Sequence, residues 1–224
     1  MMRIYKKNNK YAFTLAEVLI TLVIVGVIAA MTVPSLIQST ERNEYVVALK
    51  KAQSVLSQTL YRITLDNGYP IGDYEFFLDK NYIEDFASYT NVVKVCNNQK
   101  ECFGSSLYRN GEYKLLNNTK ATGWLDGKSV ITTDGIMYTF IAASSIHNIY
   151  GISPEDQEKA IGRVIVDVNG QRKPNKFGLD TYIFYLINGK GFLPAGAYTT
   201  TNCRRGKNGA DCAGRVLREN AIKY

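Results

Sequence analysis

Residues 13–37 read FTLAEVLITLVIVGVIAAMTVPSLI, a block of 25 residues whose single charge is Glu17. At the usual helical rise such a block spans about 37 Å, enough to cross the hydrocarbon core of a bilayer. The sequence on either side is different in kind. Arg3, Lys6, Lys7 and Lys10 precede it with no acidic residue among the first 12, and a chain of ordinary soluble composition comes after it. A basic flank before an apolar span holds the N-terminus on the cytoplasmic side and sends the rest of the chain outward.

After the apolar block the periodicity continues and narrows. Tyr45, Leu49, Ala52, Leu56, Leu60 and Ile63 recur at steps of four and three, with Glu41, Arg42, Glu44, Lys50, Lys51, Gln53 and Arg62 on the other faces. This pattern predicts one helix of some 50 residues, apolar all round in its first half and on one stripe in its second. Asp66-Asn67-Gly68 ends it, because Gly68 suits the left-handed position beyond a helix terminus. Residues 69–128 are irregular and tyrosine-rich, with a short helix expected within Asp73–Tyr89. Strand patterns then dominate: Ser129–Thr133 and Ile136–Ala142 around an Asp134-Gly135 turn, Gly162–Val168, Thr181–Ile187, and a turn over Gly189–Gly191 into Phe192-Leu193. A last short helix is expected in the tail. The fold class is therefore α+β, a long N-terminal helix packed on a small antiparallel sheet.

The segment KYAFTLAEVLITLVIVGVIAAMTVPSLI resembles the cleavage and methylation segment of type IV pilins and type II secretion pseudopilins. A short basic leader, a small residue before the cut, Phe-Thr-Leu, and Glu17 as fifth residue of the mature chain carry the resemblance; Gly26 and Pro34 fall where that family loosens its helix. The rest of the chain is more loosely similar to exported pilin-like proteins with a DxNG…PNxxGxD loop and a cysteine-containing tail. The resemblance implies a prepilin peptidase that cuts between Ala12 and Phe13 and methylates the new amine of Phe13. Glycine is usual before the cut, and alanine is its smallest substitute. The organisation implied is a leader over 1–12, a transmembrane and assembly segment over 13–37, the amphipathic half of the helix over 38–68 and an exported α+β domain over 69–224.

The expected function is therefore a structural subunit of a type IV pilus-like or type II secretion filament. Its partners would be the peptidase, other pilin or pseudopilin subunits, an inner-membrane assembly platform, and membrane lipid before assembly. A carboxylate inside an apolar span is costly and normally marks function, so Glu17 is expected to pair with the amine of Phe13 in an adjacent subunit. Gly26 and Pro34 weaken the same stretch and would let it loosen on leaving lipid. Two alternatives stand beside this one: a signal-anchored exported protein for ligand binding or adhesion, whose helix is a tether, and a DNA-uptake pseudopilin.

Net charge over the 224 residues is +7, from 27 Lys and Arg against 20 Asp and Glu. Removing the four leader cations leaves 23 against 20, or +3, so nucleic acid is not expected as a partner. Arg204, Arg205 and Lys207, with Tyr198 nearby, read first as a solvated loop. Cys96, Cys102, Cys203 and Cys212 all come after the apolar block, in the exported part, where disulfides persist. Four cysteines allow three pairings. Local pairing, Cys96–Cys102 and Cys203–Cys212, is expected because each pair brackets a short polar loop; zinc is the rival, with only one histidine, His147, distant in sequence.

Asp167-Val168-Asn169-Gly170 with Asp180 offers oxygen ligands in a glycine-bearing loop that could hold calcium. Gly178 stands where an EF-hand would close with glutamate, and Asn169-Gly170 also explains itself as a tight turn. No cofactor is otherwise expected. His147 has no acid partner at a telling spacing, and no nucleophile elbow, P-loop or dinucleotide fingerprint occurs, so no enzyme is expected.

Overall fold

The computed structural model describes residues 13–68, 82–97, 101–102, 113–125, 127–142 and 148–224. The expected leader over 1–12, Ala12 included, His147 and the 73–81 part of the expected short helix lie outside the described residues. The chain divides into two compact units, Met1–Glu41 and Arg42–Tyr224.

Helix α1 covers Leu15–Asn67 and contains Pro34 without ending there. In the first unit no residue from Phe13 to Glu41 is buried. Large side chains such as Leu19, Leu22, Val23, Val25 and Met31 are all more than half exposed. Mean hydropathy reaches 2.5 over the most apolar 18 residues, so this helix is long and apolar enough to cross a membrane.

The second unit begins where the stripe begins. Val46, Leu49, Ala52, Leu56, Leu60 and Ile63 are buried, and Gly68 takes φ +70° past the helix end. The stripe packs on a six-stranded antiparallel sheet whose strands succeed one another in chain order. They are β1 (Val92–Cys96), β2 (Lys128–Thr132), β3 (Met137–Ala142), β4 (Ala160–Asp167), β5 (Thr181–Ile187) and β6 (Gly191–Pro194). Short helices add α2 (Tyr82–Tyr89) before β1, α3 (Pro154–Glu158) before β4, and α4 (Cys212–Glu219) in the tail. The α+β architecture is as the patterning predicts.

Alternation along the strands sorts the core into two layers, as the pleat requires. Val130, Tyr138, Phe140, Val164, Val166, Tyr182, Phe184 and Leu186 share a cluster with the α1 stripe, Phe86 of α2 and Val216 of α4. Met137, Ile141, Ile165, Ile183, Tyr185 and Ile187 face the other way, against Tyr113, Leu125, Phe177, Ala195 and Ala210 from loops. β4 and β5 are therefore buried on both faces and read as continuous apolar runs. Strand patterning does not predict β1: VVKVC is short, lies at the sheet edge and has an irregular register at Val92/Lys94. Helix α3 is also absent from the expected elements, although Ser153 before Pro154 is an N-terminal signature. Ser153 Oγ accepts from the Asp156 N–H at 3.2 Å.

Both cysteine pairs are local disulfides, Cys96–Cys102 and Cys203–Cys212. The second ends at Cys212, two residues before a close backbone crossing. A Cβ on Gly214 of α4 would come within 2.3 Å of the Gly196 carbonyl and 2.7 Å of the Ala197 nitrogen. Alanine would gain about 1 kcal/mol in helix propensity, but backbone atoms on both sides cannot rotate away as a side chain could. Gly214→Ala is expected to lower stability by about 1–3 kcal/mol net, read as a fall of several degrees in the thermal unfolding midpoint. An unchanged or raised midpoint would show that the crossing yields more readily than these distances imply.

Candidate functional site

At the start of α1, Thr14 and Glu17 share three hydrogen bonds. The Thr14 N–H and O–H each donate to Glu17 Oε2 at 2.8 Å, and the Glu17 N–H donates to Thr14 Oγ1 at 3.2 Å. This is a capping box, in which residues three apart satisfy amides that the first turn leaves open. Thr-x-x-Glu is legible in the sequence, yet reading Glu17 only as a carboxylate for a neighbour overlooks Thr14. The second oxygen, Oε1, accepts no hydrogen bond among the described residues, so the cap leaves it available.

Around this cap the helix has no structural need for its special residues. A Cβ on Gly26 would meet nothing within 4 Å, and Pro34 sits in an exposed turn. Neither close packing nor a left-handed backbone inside this unit explains the glycine. Phe13 is 87% exposed. Phe13, Glu17, Gly26 and Pro34 thus lie along one segment with no burial of their own, beside an apolar surface of the kind that marks an interaction.

The second set of sequence candidates sits in the β4–β5 loop. Asp167 and Asp180 are both buried, 1% and 0% exposed. The loop itself solvates them. The Asn169 N–H donates to Asp167 Oδ1 at 3.2 Å, and the Tyr113 hydroxyl donates to Oδ2. Asn175 and Lys176 amides donate to the two Asp180 oxygens at 2.7 and 2.5 Å. Even so, burial pushes the Asp167 carboxyl well above the usual range, with the Asp180 charge adding to it. Burial likewise pushes Asp180 up to about 6, against the pull of its backbone hydrogen bonds. Asn169 Nδ2 donates to the Lys173 carbonyl at 3.1 Å. Asn169 Oδ1 and both amide atoms of Asn175 are buried with no partner.

This loop fits calcium in its oxygen donors, since two carboxylates and amide oxygens are the ligands a hard cation takes. Among the described residues no group of three or more His, Cys, Asp or Glu could hold a metal ion, and each oxygen of Asp167 and Asp180 already accepts a bond from the chain.

Arg204, Arg205 and Lys207 are exposed, in the loop that the second disulfide closes. They form no ion pair among the described residues. Tyr198 is 71% exposed.

Comparison with known proteins adds to the N-terminal geometry. Residues 7–33 match the family described as the prokaryotic N-terminal methylation motif. The segment is a type IV pilin- or pseudopilin-like prepilin segment, and it supports a pilin- or pseudopilin-type subunit. No curated protein and no solved structure matches the chain.

Proposed function

We propose that this chain is a structural, non-catalytic subunit of a type IV pilus-like or type II secretion filament. Prepilin peptidase removes residues 1–12 by cutting between Ala12 and Phe13, and the new amine of Phe13 is methylated. Residues 13–37 hold the subunit in the inner membrane with its N-terminus cytoplasmic, and the amphipathic half, 38–68, carries the exported domain, 69–224. On an assembly platform the span leaves lipid for a bundle of like helices, and Glu17 meets the Phe13 amine of its neighbour. The match at residues 7–33, on a helix whose apolar side chains have no burial of their own, carries this reading.

The first test is covalent. In a cell with a prepilin peptidase, N-terminal sequencing and intact mass of the mature protein are expected to give N-methyl-Phe13. A different first residue, or an unmethylated one, would count heavily against the assignment.

A second reading concerns the β4–β5 loop, where Asp167, Asn169 and Asp180 are proposed to hold calcium. The unpartnered Asn169 Oδ1 beside two buried carboxylates favours it. A ligand bound only by the folded state raises the unfolding midpoint as its concentration rises. Calcium, and not magnesium, is expected to do so; a midpoint indifferent to millimolar calcium leaves the loop as a turn held by its own amides.

A further inference from the structure

We propose that three joined loops of the Arg42–Tyr224 unit form a basic surface that docks on the anionic phosphate headgroups of the membrane holding the subunit. This surface presupposes the reading of residues 13–37 as a membrane span. Backbone hydrogen bonds draw the loops together. In the turn over 113–120, the Lys114 N–H donates to the Asn175 carbonyl at 3.0 Å, and the Lys114 carbonyl accepts from the Phe177 N–H at 2.9 Å. Both partners belong to the β4–β5 loop. From the same turn the Leu116 N–H donates to the Asn208 carbonyl at 3.0 Å, inside the loop that Cys203–Cys212 closes.

Each loop carries cations and no exposed acid. The turn brings Lys114 and Lys120, and the β4–β5 loop brings Arg172, Lys173 and Lys176. The disulfide loop adds Arg204, Arg205 and Lys207. All are exposed except Lys176, which is half-buried and donates from Nζ to Asn118 Oδ1 at 2.7 Å. The carboxylates of 113–120, 168–180 and 203–211 are Asp180 and Asp211, and both are 0% exposed. None of the eight cations forms an ion pair among the described residues, whereas Lys51, Lys159, Lys190 and Arg215 of the same unit each do. A chain that is close to neutral after its leader therefore gathers uncompensated charge in one place.

Position selects the occupant. The β4–β5 loop lies where the chain enters the unit: Asn169 Nδ2 donates to the Tyr45 hydroxyl at 3.4 Å. The tail meets both, since Arg42 Nη1 donates to the Ile222 carbonyl at 3.4 Å and the Tyr224 hydroxyl donates to the Gly178 carbonyl. Only residues 38–41 separate Ile37 from Arg42, a reach of at most about 18 Å even fully extended. A polyanion in solution has to be captured from bulk, whereas the span itself keeps lipid headgroups at high effective concentration beside this loop. Glu41 and Glu44 are the exposed acids flanking Arg42, two against eight. Basic clusters of this size next to a span are attracted to anionic lipid, with partitioning rising about fivefold per cation.

The full-length protein is placed in bilayer discs of phosphatidylcholine, alone or mixed with phosphatidylglycerol. Its lysines are labelled with a water-soluble acylating reagent and read by mass spectrometry. Lys114, Lys173 and Lys207 are expected to react at least about fivefold more slowly in the anionic discs, and high salt to abolish the difference. Lys159 and Lys190, at the opposite end of β4 and β5, are expected to react alike in both. Arg172→Gln with Lys173→Gln changes two exposed side chains; it is expected to keep the thermal midpoint and to lose most of the protection at Lys114 and Lys207. Equal rates in the two kinds of disc, or full protection in the double variant, would overturn the proposal. So would protection in neutral discs by free glycerol phosphate or single-stranded DNA with none from anionic lipid, which would assign the surface to a soluble phosphate or a nucleic acid. A chain that does not enter the discs overturns the membrane span and this surface together; one that enters with its lysines unprotected overturns the surface alone.

Discussion

Glu17→Ala is expected to leave the Arg42–Tyr224 unit folded and to remove the subunit from filaments. Glu17 lies in the other compact unit, outside both core clusters, so its loss does not touch the sheet. Insertion should improve slightly, because a costly charge leaves an apolar span. Two separable things are lost. One is the cap on α1, worth about 1 kcal/mol in typical cases. The other is the partner of a neighbour's Phe13 amine in a low-dielectric bundle, where breaking a buried pair from one side costs about 3–5 kcal/mol. The second dominates and would shift assembly by two or more orders of magnitude. Glu17→Gln separates them, since glutamine still closes a capping box with Thr14 but carries no charge. Wild type and both variants are expressed at equal levels, the cells are sheared, and sheared filament is compared with membrane-held subunit. Both variants are expected to fail. Assembly by the glutamine variant alone would make Glu17 a helix cap, and assembly by both would make the helix a simple anchor.

The second large effect is an inverted dependence of stability on pH. Asp167 and Asp180 titrate higher in the folded chain than the usual carboxylate near 3.9, because burial disfavours their charged forms. Asp211 shifts the same way and for the same first cause. A group whose folded pKa is raised contributes stability that is full below its unfolded pKa and lost as pH rises through the folded one. For Asp180 the window runs from about 4 to about 6, with a loss of about 3 kcal/mol across it; Asp167 extends the decline to higher pH. Asp134, Glu155 and Asp156 are shifted down by hydrogen bonds and Lys partners, and they oppose this only in more acidic solution. Chemical denaturation across pH 5 to 8 is expected to show stability falling as pH rises, and Asp180→Asn to flatten the lower part of that slope. A rise from pH 5 to 8 in the wild-type protein would mean that these carboxylates are better solvated than their burial implies, or are held by a cation.

Much of this was legible in the residues alone. Phe13–Ile37 determines an exposed apolar helix, because a helix packed on nothing in its own unit cannot bury side chains on every face. The stripe from Leu49 to Ile63 determines which side of the helix meets the sheet, and strand periodicity places β2 to β6 to within a residue or two. Local bonds were readable in principle: Thr-x-x-Glu at Thr14 and Ser-Pro at Ser153 are start signals whose partners lie three residues away. Tertiary structure alone decided the rest, since those contacts join residues far apart in the chain. The second face of the sheet is covered by loops carrying Tyr113, Phe177 and Ala210, whose burial no period announces. Asp167 and Asp180 look like ordinary loop acids, and only the closing of β4 onto β5 removes them from water and sets Tyr113, 54 residues away, against one of them. Lys51 and Asp134 are 83 positions apart, and they pair only once α1 lies across the β2–β3 hairpin.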